Sequence, residues 1–116
     1  MALQPIPNAW RRKVAGILRR GTSSEIRRTA DYSDKLDKSF PDVFESRVTA
    51  AFLQFLEGPN PQGCPVQMDR PAGETWEFWF TLKGKQTYGK ILLRTDQQRI
   101  VLFSAHLPQK DKLRCE

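Results

Sequence analysis

Residues 75–106 read TWEFWFTLKGKQTYGKILLRTDQQRIVLFSAH, from Thr75 to His106, and the reading of this stretch decides the fold. Trp76, Phe78 and Phe80 alternate with Glu77, Trp79 and Thr81, the two-residue period of a strand with one heavily apolar face. Lys83-Gly84-Lys85 marks one turn and Thr95-Asp96-Gln97-Gln98 a second. The run over 87–94 sets Ile91 and Leu93 on one face and Tyr88, Lys90, Leu92 and Arg94 on the other. The last run sets Val101, Phe103 and Ala105 against Ile100, Leu102, Ser104 and His106. Three antiparallel strands are predicted, ending on the single histidine of the chain.

The length of the loop around 95–98 decides what His106 faces. An even loop that pairs Arg94 with Arg99 puts His106 on the face of Ile91 and Leu93. An odd loop gathers Ile91, Leu93, Val101, Phe103 and Ala105 into one core face and leaves Tyr88, Lys90, Ser104 and His106 together on the other. A shift of one residue exchanges every side chain between faces, so burial is the stronger constraint, and it favours the odd loop.

Outward from the sheet, the preceding chain reads as helical cover. Asn8 is placed to cap a helix to about Arg20, with Trp10, Val14, Ile17 and Leu18 in one apolar stripe and Gly21 as its stop. Thr22-Ser23-Ser24-Glu25 fits a capping box, and 26–38 reads as a short helix plus loop. Ser39-Phe40-Pro41-Asp42 opens the clearest helix, whose stripe is Phe44, Val48, Ala51, Phe52, Phe55 and Leu56; Gly58 ends it. Pro59-Asn60-Pro61-Gln62-Gly63 begins a loop running to Gly73, within which 65–68 is a candidate edge strand. The expectation is an α+β fold of one domain, residues 1–116, with N-terminal helices packed on one face of a C-terminal antiparallel sheet of three to four strands. Its parts are helical cover over about 8–58, a loop at 59–73, the sheet over about 74–107 and a basic tail at 108–116.

Nineteen Lys and Arg against thirteen Asp and Glu give a net charge of +6 and a pI near 9.7. That balance favours polyanionic partners. Arg11, Arg12, Arg19, Arg20, Arg27 and Arg28 form an N-terminal basic cluster that reads as either a solvated face or a phosphate-contacting ridge. Lys83 and Lys85 in the first sheet turn and Lys110 and Lys112 in the tail extend the candidate nucleic-acid contacts. The two cysteines, Cys64 and Cys115, belong to no CxxC pair and with one histidine make no typical zinc site; free thiols in a cytoplasmic protein are expected, with a disulfide between the two as the alternative. No apolar run reaches the roughly 18 residues that cross a membrane, and MALQPIPNAWRRKV has no secretory pattern. No metal and no cofactor are expected.

Cleaving RNA by attack of the 2′-hydroxyl needs a group to take the hydroxyl proton, a group to stabilise charge on the phosphate, and a group to protonate the leaving oxygen. Histidine suits the proton transfers because its ordinary pKa is about 6.5. Lysine and arginine suit the phosphate, and Tyr88 is placed to stack a base or hold a hydrogen bond. His106, Lys90, Arg94, Tyr88 and Ser104 are therefore the candidate catalytic set. Against that stands the plain alternative, a histidine that finishes a strand and bonds a loop.

The order of elements resembles the small toxin ribonucleases, which include the RelE and MqsR mRNA interferases and the colicin D-type nucleases. It is most similar to MqsR: a helix ending in a Gly turn, a second helix before the aromatic strand Trp76–Phe80, a Gly-containing turn, a strand Tyr88-x-Lys90-Ile91 and a final strand ending Phe103-Ser104. Where the MqsR pattern runs on to Phe-Lys, this chain has Ser104-Ala105-His106, so no catalytic lysine is carried over there; a histidine is the kind of residue used in colicin D-like relatives. The resemblance implies a metal-independent endoribonuclease acting on mRNA or tRNA, held in check by an acidic antitoxin protein, in the cytoplasm and without a membrane partner. Two other readings stay open: a non-catalytic nucleic-acid-binding module built on the arginine cluster, and a protein-interaction domain anchored on Trp79 and the 59–73 loop.

Overall fold

Trp76, Phe78, Phe80 and Leu82 sit on one face of a ten-residue strand, and the core is built on them. In the computed structural model, which describes residues 2–116, this strand is β4 (Gly73–Leu82). It is followed by β5 (Lys85–Arg94) and β6 (Ile100–His106) in an antiparallel meander. The sheet is larger than the sequence suggested: β1 (Gln4–Pro5), β2 (Ile26–Arg28) and β3 (Gln62–Val66) bring it to six strands, in the order β1-β3-β4-β5-β6-β2. Among the described strands only β2 runs parallel to its neighbour, β6. The fold is α+β, with three helices among the described residues: α1 (Asn8–Arg20), α2 (Ala30–Ser39) and α3 (Glu45–Leu56).

Helices α1 and α3 cover one face of the sheet. Trp10, Val14, Ile17 and Leu18 of α1 are buried as their spacing predicts, and Gly21 closes the helix in the left-handed region at φ 65°. The Trp10 indole N–H donates to the Glu74 carbonyl at 2.9 Å, fixing the helix to β4. From α3, Phe52 stacks on Phe80 with ring centroids 4.6 Å apart, and Phe55 stacks on Phe78 at 4.5 Å. Opposite Phe78 lies Gly89, where a Cβ would stand 2.6 Å from the Phe78 ring and 3.1 Å from that of Phe80. Both rings are wedged by other aromatics, so Gly89→Ala is expected to cost about 1–3 kcal/mol, measured as a lowered denaturation midpoint at unchanged m-value.

Several local expectations are corrected. The α1 cap position is Pro7, and the Asn8 side chain instead accepts a hydrogen bond from Arg11. The Thr22–Glu25 capping box does not form; those residues make a turn into β2, and α2 is capped by Thr29, whose Oγ1 accepts from the Tyr32 N–H at 3.0 Å. Helix α3 starts at Glu45, so Phe44 lies outside its buried stripe and is 80% exposed. The 59–73 stretch is not all loop, since β3 occupies 62–66 and pairs with both β1 and β4. Residues 108–116 are no free tail: Leu113 and Cys115 are buried, and Cys115 forms a disulfide with Cys64 in β3, so neither thiol is free. Partner choice across 51 residues depends on the tail folding back over the sheet, which periodicity cannot reveal.

The hairpin between β5 and β6 resolves the question of what His106 faces in an unexpected way. The Arg94 N–H donates to the Arg99 carbonyl at 2.9 Å, and Leu93 pairs with Ile100, so the loop is the even one, of four residues, 95–98. Ile91, Leu93, Ile100 and Leu102 accordingly share the core, and Val101 and Phe103 do not belong to it. A β-bulge then inserts Phe103 without a partner: Ile91 pairs with Leu102, but Lys90 pairs with Ser104. One extra residue inverts the alternation from there on, returning Ala105 to the core and placing Ser104 and His106 beside Lys90 and Tyr88.

Candidate functional site

On the face of the sheet away from α1 and α3 lies a cavity of about 580 Å³. Its floor is the outward row of the three long strands: Glu77 and Trp79 from β4, Tyr88 and Lys90 from β5, Ser104 and His106 from β6. In register, Trp79 and His106 flank Tyr88, Glu77 lies opposite Lys90 on one side, and Ser104 lies opposite Lys90 on the other. Helix α2 runs along β6 and makes one wall. Tyr32 and Leu36 enter the core, whereas Asp31 and Lys35, ion-paired at 3.3 Å, face the cavity. The opposite wall is the C-terminal segment, with Gln109, Lys110, Lys112, Leu113 and Arg114. Five cationic side chains and two carboxylates line the space, so its charge is positive with histidine neutral.

The carboxylate of Glu77 is 2% exposed and fully engaged. It accepts the Tyr88 hydroxyl at 2.6 Å, the Arg114 backbone N–H at 2.8 Å and the Arg114 Nε at 3.3 Å. A buried carboxylate needs such partners, because burial of an unpaired charge is costly. Burial, and then the bond to Glu77, push the Tyr88 phenol well above its ordinary value, which keeps it a hydrogen-bond donor. Tyr88 is thus committed to Glu77 through its hydroxyl and to His106 through its ring, whose centroid stands 5.3 Å from the imidazole.

His106 is 5% exposed and carries a defined tautomer. Its Nδ1 lies 2.8 Å from the Leu107 carbonyl, which can only accept, so Nδ1 holds the proton and Nε2 the lone pair of the neutral ring. Nε2 makes no hydrogen bond to any described residue. The strand end that carries it is fixed by the Leu107 N–H, which donates to Ser39 Oγ at 3.0 Å. Lys90 is half-buried with its Nζ 5.4 Å above the centre of the Phe103 ring, the residue displaced by the bulge. Burial first, and the nearby Arg114 second, lower the Lys90 pKa from its ordinary value. It makes no ion pair to a described residue, which leaves its charge available to a bound anion.

The structure therefore brings together Tyr88, Lys90, Ser104 and His106 with Lys110 and Lys112, and leaves other expected residues outside. Arg94 pairs with Gly73 at the far end of β5 and does not line the cavity. Lys83 and Lys85 sit at the exposed β4–β5 turn, also away from it. The N-terminal arginines are dispersed and largely paired: Arg19 to Glu57, Arg20 to Glu25 and Arg28 to Glu45. Arg11 donates to the carbonyls of Ile6 and Leu56, at 3.1 and 3.0 Å, and joins α1 to α3, while Arg12 and Arg27 remain exposed. Sequence reasoning missed Glu77, Asp31, Lys35 and Arg114. Glu77, a carboxylate on a strand between two tryptophans, was the one with a visible signal. Comparison with protein-family models, with curated proteins and with solved structures finds no match to this chain.

Proposed function

We propose that the chain is a metal-independent endoribonuclease of the toxin type, and that the cavity on the outer sheet face is its active site. The observation that carries this reading is the shared face of His106 and Lys90 beside a cationic C-terminal wall. A neutral imidazole with a free Nε2 is the right group to take the proton of a 2′-hydroxyl, and the protonated ring then serves the leaving 5′-oxygen. Lys90, with Lys110 and Lys112, stabilises the phosphate as charge gathers on it. Tyr88 orients the imidazole, and Ser104 is a hydroxyl donor beside Lys90. Arg94, outside the cavity, has no part in the chemistry.

The runner-up, a binding module built on the N-terminal arginines, loses support because three of the six are ion-paired and Arg11 ties two helices together. Action on messenger or transfer RNA puts the protein to work in the cytoplasm. An acidic antitoxin protein would oppose it by occupying the same lysines.

The deciding experiment incubates the protein with single-stranded RNA in excess EDTA and examines the products. Fragments ending in a 2′,3′-cyclic phosphate are expected; an absence of cleavage, or cleavage abolished by EDTA, sinks the proposal. Lys90→Ala is expected to weaken RNA binding and to flatten the slope of log affinity against log salt by about 0.7, the share of one phosphate contact on a single strand. Only protonated Lys90 attracts phosphate, and burial lowers its pKa. Affinity should therefore fall as pH rises through values beneath the ordinary lysine pKa of about 10.4. Lys90→Arg, which stays charged, should remove that fall.

A further inference from the structure

We infer that the C-terminal segment, residues 108–116, is a redox-latched wall of the cavity, present when Cys64 and Cys115 are joined and released when they are reduced. The segment contains neither helix nor strand, so no backbone ladder holds it. Its attachments are few and gather at its end. Arg114 reaches Glu77 through its backbone N–H at 2.8 Å and a largely exposed side chain, the Glu116 carboxylate accepts the Trp79 indole N–H and the Leu113 N–H, each at 2.9 Å, and Leu113 packs beside the disulfide. Cys115 lies between Arg114 and Glu116 and next to the packed Leu113, so the covalent bond sits among these contacts. A terminal segment anchored this way can leave without unfolding the sheet beneath it.

What leaves with it is most of the site's charge, since Lys110, Lys112 and Arg114 are three of its five cations. The cavity persists with the segment docked, so the segment is a wall of the site and does not plug it. Reduction by a dithiol transfers two electrons and two protons to the Sγ–Sγ bond and leaves two thiols. Reoxidation by a disulfide oxidant returns both. In a reducing cytoplasm the wall is loose, and oxidation completes the site. The consequence for RNA rests on the function proposed above; the wall itself does not.

Two measurements separate the two claims. Amide hydrogen exchange is compared in the oxidised protein, in protein reduced with tris(2-carboxyethyl)phosphine, and in Cys64→Ala/Cys115→Ala. The N–H groups of Leu113, Arg114 and Cys115 are all hydrogen-bonded in the docked segment, and should lose at least ten-fold in protection on reduction while β4 and β5 keep theirs. Unchanged protection in protein whose mass shows both thiols free overturns the inference. Binding of a fluorescent single-stranded RNA should weaken ten-fold or more in the reduced and double-alanine proteins, and unchanged binding with a released segment overturns the gating of the site. If the oxidised protein binds no RNA while exchange shows the latch opening, the wall stands and the ribonuclease reading fails.

Discussion

Replacing Cys64 and Cys115 together by alanine is expected to lower global stability by about 2–4 kcal/mol, read as a shift in the denaturation midpoint under non-reducing conditions. The disulfide closes a loop across 51 residues that contains β3, β4, β5 and β6, and with them the strands on which the core is built. Chain-entropy reasoning gives about 4 kcal/mol for a loop of that size, because the crosslink removes freedom from the unfolded chain. The lower end of the range allows for freedom that the detached segment regains in the folded state. Alanine is the better replacement, because serine would bury a hydroxyl where both sulfurs are nearly inaccessible. A loss below about 1 kcal/mol would mean that the crosslink constrains the segment alone and contributes nothing to the sheet. The double variant should still unfold in one cooperative transition, since its main core contains neither cysteine.

The parts of the fold that were legible are those governed by local periodicity. The α1 stripe, the alternation of Trp76, Phe78 and Phe80, and the Gly21 stop each depend on residues a turn or a pleat apart. What escaped depends on contacts made at a distance. A short edge strand was expected at 65–68, but the strand lies at Gln62–Val66, between β1 and β4, because β4 offers it an edge, although Pro65 argues against an interior one. Ile26–Arg28 pairs in parallel with β6 only after the helices have brought it there.

The candidate site shows the same limit more sharply. The grouping of Tyr88, Lys90, Ser104 and His106 was foreseen, yet through an odd loop that does not form. The four-residue turn and the bulge at Phe103 each shift the register by one, and together they restore the face. Position 103 carries a large apolar residue that alternation would assign to the core, so the bulge left no local trace. The Glu77–Arg114 pair was likewise beyond reach, because it exists only once the C-terminal segment has folded back.

His106→Gln should reduce single-stranded RNA cleavage by about 10²–10⁴-fold, a loss of roughly 3–5 kcal/mol of transition-state stabilisation, while RNA affinity and the unfolding midpoint change little. Glutamine is chosen over alanine because it fills most of the imidazole's volume with its amide where Nε2 stands; the bond from Nδ1 to the Leu107 carbonyl is lost, but the strand end keeps the one from the Leu107 N–H to Ser39 Oγ. It lacks a titrating nitrogen in place of Nε2, and so removes proton transfer with little loss of packing. The imidazole is held by the Leu107 carbonyl on one side and by the Tyr88 ring on the other, and Tyr88 is itself fixed by Glu77. Tyr88→Phe keeps the ring and breaks the link to Glu77, so it should lower the rate less than His106→Gln and leave the pH profile in place. The discriminating outcome is the pattern across the two variants. A large loss at His106 with retained binding identifies a group acting on the reacting proton. Equal, modest losses at both positions, accompanied by lower midpoints, would instead make His106 a strand-ending histidine and move the chemistry elsewhere.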